Sequence, residues 1–283
     1  MSRNFLSEIL AKKREAIARL KARASSNRLR ERALEIRRTA VPHRLFKALK
    51  WESPRLKIIA EFKRKSPSAG TIRDDRSAEE IACAYDRAGA CAISVLTDEE
   101  FFDGSIADLR AVRSTTNLPV LRKDFIIDPV QVYETAVAGA DAVLLIVAAL
   151  DDVMLSNLRE IAEDQLGLDA LVEVHTSVDM RRALNAGARI IGVNNRNLET
   201  FEVSLETSEH LIGEAPPDRI MVSESGLQNP ESLRHLQALG FRSFLIGEIL
   251  MRAPDPETAL RDLIHAASDG AELRGYMSSR LHH

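Results

Sequence analysis

From residue 56 onward the chain alternates between short apolar runs and longer segments with a single apolar face. The runs Leu56–Phe62, Ala92–Leu96, Val120–Lys123, Ala142–Val147, Ala170–Val174, Ile190–Asn194, Ile220–Ser223 and Phe244–Ile246 are near-continuously hydrophobic over strand length. Strands of that kind are buried on both faces, as in a parallel sheet covered by helices. The segments between them open on helix-capping residues: Ser77 with Glu80, Asp128-Pro129, Thr176 with Asp179, Asn229-Pro230 and Asp255-Pro256. An internal echo ends them. Ala88-Gly89-Ala90, Ala138-Gly139-Ala140 and Ala186-Gly187-Ala188 each stand between a helix and the next strand, and Gly240 repeats the position. Glycine there supplies the left-handed residue that a tight αβ connection needs. Eight such units in about 220 residues predict an α/β fold of the (β/α)8 barrel type. An open sheet would carry a glycine-rich phosphate loop after its first strand, and neither GxGxxG nor GxxxxGK[ST] occurs.

Residues 1–48 have a different character. Leu6, Ile9, Leu10, Ile17 and Leu20 recur near helical spacing amid Lys12, Lys13, Arg14, Arg19, Lys21 and Arg23. A second charged helix is predicted from about Arg28 to Arg38, followed by Pro42 and the apolar group Leu45, Phe46 and Leu49. The basic bias reads as a solvated helix face rather than an RNA-binding arm. Glu8, Glu15, Glu31 and Glu35 are interleaved, and no aromatic row offers stacking. The expected organisation is a helical extension over 1–48 lying as a lid on the barrel mouth, a barrel over 49–268 and a tail over 269–283. Together they form one structural domain.

Composition narrows the function. A chain of 283 residues that is 45% hydrophobic can bury a large core, and a net charge of -3 gives no general attraction to nucleic acid or anionic membrane. The longest apolar run, Ala142–Leu150, is about half a membrane span. The N-terminus lacks the apolar core of a signal peptide, so a cytoplasmic protein is expected. Cys83 and Cys91 have no ligand spacing and read as small buried hydrophobes. The histidines do not cluster with cysteines or acids, so no metal site is expected.

Barrel active sites lie at the C-terminal ends of the strands, and those ends carry charge here. The first strand offers Glu61 and Lys63, the third Lys123, the fifth Glu173, the sixth Asn194 with Arg196 beyond it, and the seventh Glu224 and Ser225. Alternation places Ile59, Glu61 and Lys63 on one face, and likewise Leu121 with Lys123, Leu171 with Glu173, and Gly192 with Asn194. One such residue could belong to a structural ion pair. Five from four strands indicate a site, because unpaired buried charge is expensive. Ser223-Glu224-Ser225-Gly226 and Ile246-Gly247-Glu248 follow the last two strands, where barrels commonly hold a phosphate on backbone N–H groups. Lys65 and Ser66 could reach the same region, and Pro67, Phe102, Phe125, Leu144 and Ile146 could wall a flat ring. His175 adjoins Glu173 but has the opposite parity, so it is expected to cap or underlie the next helix.

At these residues the chain resembles the indole-3-glycerol phosphate synthase family. The resemblance rests on Ile59-Ala60-Glu61-Phe62-Lys63-Arg64-Lys65-Ser66-Pro67-Ser68, Leu121-Arg122-Lys123-Asp124-Phe125, Leu171-Val172-Glu173-Val174-His175, Gly192-Val193-Asn194-Asn195-Arg196, Ser223-Glu224-Ser225-Gly226 and Leu245-Ile246-Gly247-Glu248. It implies a cofactor-free reaction on a phosphorylated small molecule, with no nucleic-acid or membrane partner, by a monomer or weak homodimer. It also implies that Glu61, Lys63, Lys123, Glu173 and Asn194 are catalytic; Lys123 matches the acid for ring closure, and the division of ring closure and dehydration between Lys123 and Lys63 stays open. Ser66, Gly226 and Gly247 with neighbouring N–H groups would hold the phosphate, and Glu224, Ser225 and Glu248 would be further substrate-binding residues. Lys63 and Arg196 would meet a carboxylate, and Phe102, Phe125 and Leu144 would wall the aromatic ring. Asn197 and Ile249 depart from the commonest family pattern, the first where an acid often stands and the second where a small residue does. The family's lid tryptophan has no counterpart, since Trp51 comes too late, and Phe5 is the candidate for its place. Three other readings stay open: a phosphoribosylanthranilate isomerase-like barrel, a class I aldolase with Lys123 as Schiff base, and a non-catalytic ligand-binding barrel.

Overall fold

A computed structural model of the chain describes residues 5–50 and 56–278. Trp51 lies outside the described residues. Eight parallel strands close into a barrel: β1 (Lys57–Phe62), β2 (Ala92–Leu96), β3 (Val120–Lys123), β4 (Ala142–Ile146), β5 (Asp169–Val174), β6 (Ile190–Asn194), β7 (Ile220–Glu224) and β8 (Ser243–Ile246). Each pairs with its neighbours in chain order, and β8 returns to β1 with Lys57 opposite Ser243 and Ala60 opposite Ile246. The chain reaches β1 through α1 (Phe5–Arg23), α2 (Ser26–Arg37) and α3 (Arg44–Leu49). The barrel's helices follow as α4 (Ala78–Ala88), α5 (Glu99–Phe102), α6 (Ile106–Thr115), α7 (Pro129–Ala138), α8 (Asp152–Glu160), α9 (Ser177–Asn185), α10 (Glu206–Ile212), α11 (Pro230–Leu239), α12 (Glu248–Arg252) and α13 (Pro256–Ser278). α13 runs without a break past residue 269, where the tail was expected to begin. Among the described residues no helix is long and apolar enough to cross a membrane.

The caps form as the sequence suggests. Ser77 with Glu80, Asp128 with Gln131 and Thr176 with Asp179 each make a reciprocal capping box, and Asn229 caps α11. The strand after α7 stops one residue early, because Val147 begins a short 3-10 turn. Side chains alternate between two cores. Ile59, Leu121, Leu144, Leu171, Ile190, Val222 and Leu245 fill the barrel, while Ile58, Ala60, Phe62, Val143 and Val172 pack outward under the helices.

The three N-terminal helices go to three places. α3 seals the lower end of the barrel: Leu45 and Leu49 join the interior core, and Asp169 at the start of β5 accepts the N–H of Phe46 at 2.9 Å. α2 packs beside α7. α1 lies over the upper end, where Phe5, Leu6 and Ile9 meet the cavity described below. Phe5 is held edge-on between Phe101 and Phe201, with ring centroids 5.4 and 4.8 Å away.

Candidate active site

Glu61, Lys123, Glu173, Asn194 and Glu224 face inward because each continues the parity of the barrel core. Glu61 follows Ile59, Lys123 follows Leu121, Glu173 follows Leu171, Asn194 follows Ile190 by four, and Glu224 follows Val222. They converge on a cavity of about 620 Å³. Its lining includes Glu61, Lys63, Lys123, Glu173, Asn194 and Arg196, with Ser66, Phe102, Phe125, Leu144, Glu224, Ser225, Gly226, Gly247 and Glu248. Pro67, Ile146 and Ile249 line it too, whereas Lys65 does not, because the short hairpin of Lys65–Ser66 with Gly70–Thr71 turns only its Ser66 inward.

At the floor, Lys123 Nζ lies 2.9 Å from Glu173 Oε2 and 3.1 Å from Glu224 Oε2. Asn194 Nδ2 donates to the other oxygen of Glu173 at 3.1 Å. Lys63 Nζ stands 2.9 Å from Glu61 Oε1. Burial opposes the charge on Lys123, but the attraction of Glu173, Glu224 and Glu61 outweighs it and holds the ammonium above the ordinary lysine range. For Glu173, burial pushes the carboxyl up, and Lys123, His175 and the hydrogen bond from Asn194 bring it below the usual range. Glu224 goes the other way. Burial pushes it up to about 7, Glu173 and Glu61 add to that push, and Lys123 only partly opposes it. Both of its oxygens are buried outside hydrogen-bond geometry with any described side chain. The sequence grouped Glu224 with the phosphate loop. In the fold it belongs to the charged floor, directly opposite Asn194 in the β6–β7 register.

Two glycines make room for these carboxylates. A Cβ on Gly192 would stand 2.1 Å from Glu224 Oε1, and one on Gly247 would stand 2.7 Å from Glu61 Oε1. On the rim, the loops after the paired strands β7 and β8 carry Ser225 and Gly226, both with positive φ, and Gly247. Arg196 Nη1 donates to Ser68 Oγ at 3.2 Å, and its Nη2 lies 3.9 Å from Glu248. Phe102 and Phe125 both line the cavity as a tilted pair, with ring centroids 6.3 Å apart. Asn197 caps its own loop, its side-chain oxygen accepting from the N–H groups of Glu199 and Thr200.

His175 behaves differently from its parity. β5 ends at Val174, so alternation no longer governs the next residue. Its N–H donates to Asp179 at the start of α9, while its ring turns back to within 3.5 Å of Glu173 Oε1. Two further residues escaped the sequence reading. Asn195 is buried, and its Nδ2 donates to the backbone oxygens of Glu224 and Ser225 at 3.0 and 3.1 Å, tying the β6 end to the β7 loop. Lys13, read as part of a solvated face, is 8% exposed and lies between Asp98 and Asp124. Only the adjacency of Asn195 to Asn194 was a signal; nothing local marked Lys13. Among the described residues no group of three or more His, Cys, Asp or Glu side chains is arranged to hold a metal ion.

A closed (β/α)8 barrel whose upper mouth gathers two lysines, three glutamates and an amide beneath two aromatic walls has the build of a barrel enzyme for a small, partly aromatic substrate. Residues 6–263 match the family model for indole-3-glycerol phosphate synthase, and the chain belongs to that family. Proteins named indole-3-glycerol phosphate synthase from Bacteroides thetaiotaomicron and Carboxydothermus hydrogenoformans are 43% and 44% identical to it. The alignments cover 93% and 92% of this chain and 99% of each relative. Among solved structures, 3-hexulose-6-phosphate synthase from Salmonella typhimurium aligns with a TM-score of 0.59 at 14% identity, over 75% of this chain and 98% of that one. Thiamine phosphate pyrophosphorylase from Pyrococcus furiosus aligns with 0.57 at 17%, over 76% and 96%. At that identity the likeness is one of fold alone.

Proposed function

We propose that this chain catalyses the reaction for which its relatives are named, closing 1-(2-carboxyphenylamino)-1-deoxyribulose 5-phosphate to indole-3-glycerol phosphate with loss of CO2 and water. The observation that carries the reading is the buried ammonium of Lys123 between Glu173 and Glu224, under the Phe102–Phe125 walls. Ring closure joins the carboxylate-bearing ring carbon to the sugar's ketone carbon, and the ketone oxygen must take up a proton. Lys123, kept fully charged by its neighbours, is the acid placed for that step. Departure of CO2 returns its bonding electrons to the ring and restores aromaticity. The new hydroxyl then leaves as water, which needs an acid at that oxygen and a base for the proton released as the indole forms. The Lys63–Glu61 pair and Glu173 are the groups for this second proton exchange.

Asn194 orients Glu173 through its hydrogen bond. Lys63 and Arg196 are suited to the substrate carboxylate, and the Ser66, Ser225–Gly226 and Gly247 backbone to the phosphate. α1, with Phe5 at the mouth, is the lid of this reading, while α2 and α3 belong to the scaffold. The unpaired Cys83 and Cys91 suit a reducing, cytoplasmic setting. The test is continuous fluorescence detection of indoleglycerol phosphate from the purified chain and substrate, without metal or nucleotide. Absence of turnover by the folded chain would refute the assignment. Stable trapping of Lys123 by borohydride with substrate would favour a Schiff base instead.

A further inference from the structure

The lid helix α1 sends one lysine into the protein. Lys13 Nζ lies 2.6 Å from Asp98 Oδ2 and 2.6 Å from Asp124 Oδ1, and both aspartates are buried. Lys13 does not line the cavity. Each aspartate, however, holds a strand end that does. Asp98 follows β2 closely, and its Oδ1 accepts the N–H of Phe101 at 2.8 Å, capping the short helix α5 that presents Phe102. Asp124 follows Lys123 directly. Its Oδ1 accepts the N–H of Phe125 at 2.8 Å, and its Oδ2 accepts from the Thr97 hydroxyl at 2.7 Å and from Arg122 at 3.0 Å. Lys123 and both aromatic walls are therefore attached to the two carboxylates that one ammonium draws together.

A tether that merely kept α1 in place would not need such burial. Lys21, on the same helix, makes a tether of that kind: its ammonium lies 2.6 Å from Asp128 with the side chain 45% exposed. Burying an ion cluster has a desolvation cost that often cancels its Coulombic gain, so the arrangement is poorly explained by stability. It is well explained by geometry, since a buried ammonium accepts few positions between two fixed carboxylates.

We infer that Lys13 is a positioning residue for the proposed reaction: through Asp98 and Asp124 it sets the placement of Lys123 against the Phe102 and Phe125 walls, so that seating of α1 completes the site. The inference rests on the proposed ring-closing activity.

The test compares Lys13→Met, Lys13→Gln, Lys13→Arg and the tether control Lys21→Met with the wild-type chain in the same fluorescence assay, alongside thermal unfolding. The expected result is a fall in kcat of about 10-fold or more for Lys13→Met and Lys13→Gln, because small misplacements of reacting groups are costly in rate. KM should change less than about 3-fold, since the phosphate contacts lie on other loops. Lys13→Arg should recover most of kcat, and Lys21→Met should keep it. Should Lys13→Met not fold, Lys13→Gln, which still donates hydrogen bonds, decides the matter. A folded Lys13 variant with lowered Tm and wild-type kcat overturns the inference, as does an equal kcat loss in Lys21→Met. An inactive wild-type chain overturns the activity itself, which keeps the two failures distinct.

Discussion

Replacing Lys123 with methionine removes a cation that two buried carboxylates share while keeping most of the side chain's volume. Glu173 and Glu224 lie 2.9 and 3.1 Å from its ammonium and would be left facing each other. Breaking a buried ion cluster from one side costs about 3–5 kcal/mol when a charge is stranded. Here the loss depends on pH, because Glu224 already has its carboxyl raised to about 7 with the ammonium present. Without that ammonium it rises further and takes up a proton more readily. The stability gap between wild type and Lys123→Met should therefore be largest near pH 8 and should narrow toward pH 6, read from urea unfolding at several pH values. In catalysis, loss of a positioned acid lowers kcat by about 10²–10⁴-fold, roughly 3–5 kcal/mol of barrier. KM should move much less, because the phosphate and ring contacts remain. Both constants come from the fluorescence assay on protein shown to be folded. If KM alone rises while kcat holds, Lys123 is a binding residue and the acid must be sought at Lys63.

Gly226→Val should do the reverse: φ is +76° there and a Cβ would meet Val203 Cγ1 at 2.6 Å, so the loop must shift. KM should rise by about 10-fold or more, and a substrate lacking the phosphate should barely notice the change. Glu224→Gln tests the raised carboxyl. Because its folded value of about 7 exceeds the ordinary glutamate value of 4.5, the folded wild type holds a proton that the unfolded chain releases, and stability falls as pH rises between those values. The variant lacks this penalty and should gain on wild type by on the order of 1–3 kcal/mol from pH 5 to pH 8; a flat difference across denaturation curves would falsify the shift. Exhaustive EDTA treatment should leave turnover unchanged, given that no described group of His, Cys, Asp or Glu is arranged for a metal. Loss of activity restored by a divalent ion would overturn that expectation.

Periodicity and caps carried the fold a long way because both are local. A strand buried on both faces must be apolar throughout, and a tight αβ turn needs a left-handed residue. Gly89, Gly139, Gly187 and Gly240 all have positive φ as a result. The converging site was legible for a related reason. Inward parity is a property of each strand alone, so Glu61, Lys123, Glu173 and Asn194 could be aligned without knowing which strands are neighbours. Parity failed at His175, where the strand had already ended, and the strand bound ran one residue too long at the end of β4, where a 3-10 turn took over.

The tertiary structure alone decided how the charges are shared. That Glu224 belongs to the floor with Lys123 follows from β7 lying beside β6 and from the bare backbone of Gly192, which leaves space for its carboxylate. That α3 closes the lower end while α1 covers the mouth depends on where each apolar face finds a partner, which their similar basic composition does not reveal. Lys13 is the clearest case. Its burial depends on Asp98 and Asp124, more than 80 residues away along the chain. A lysine on an amphipathic helix has the same local pattern whether it meets water or two carboxylates, because local pattern carries helix and face, and only long-range packing assigns the partner.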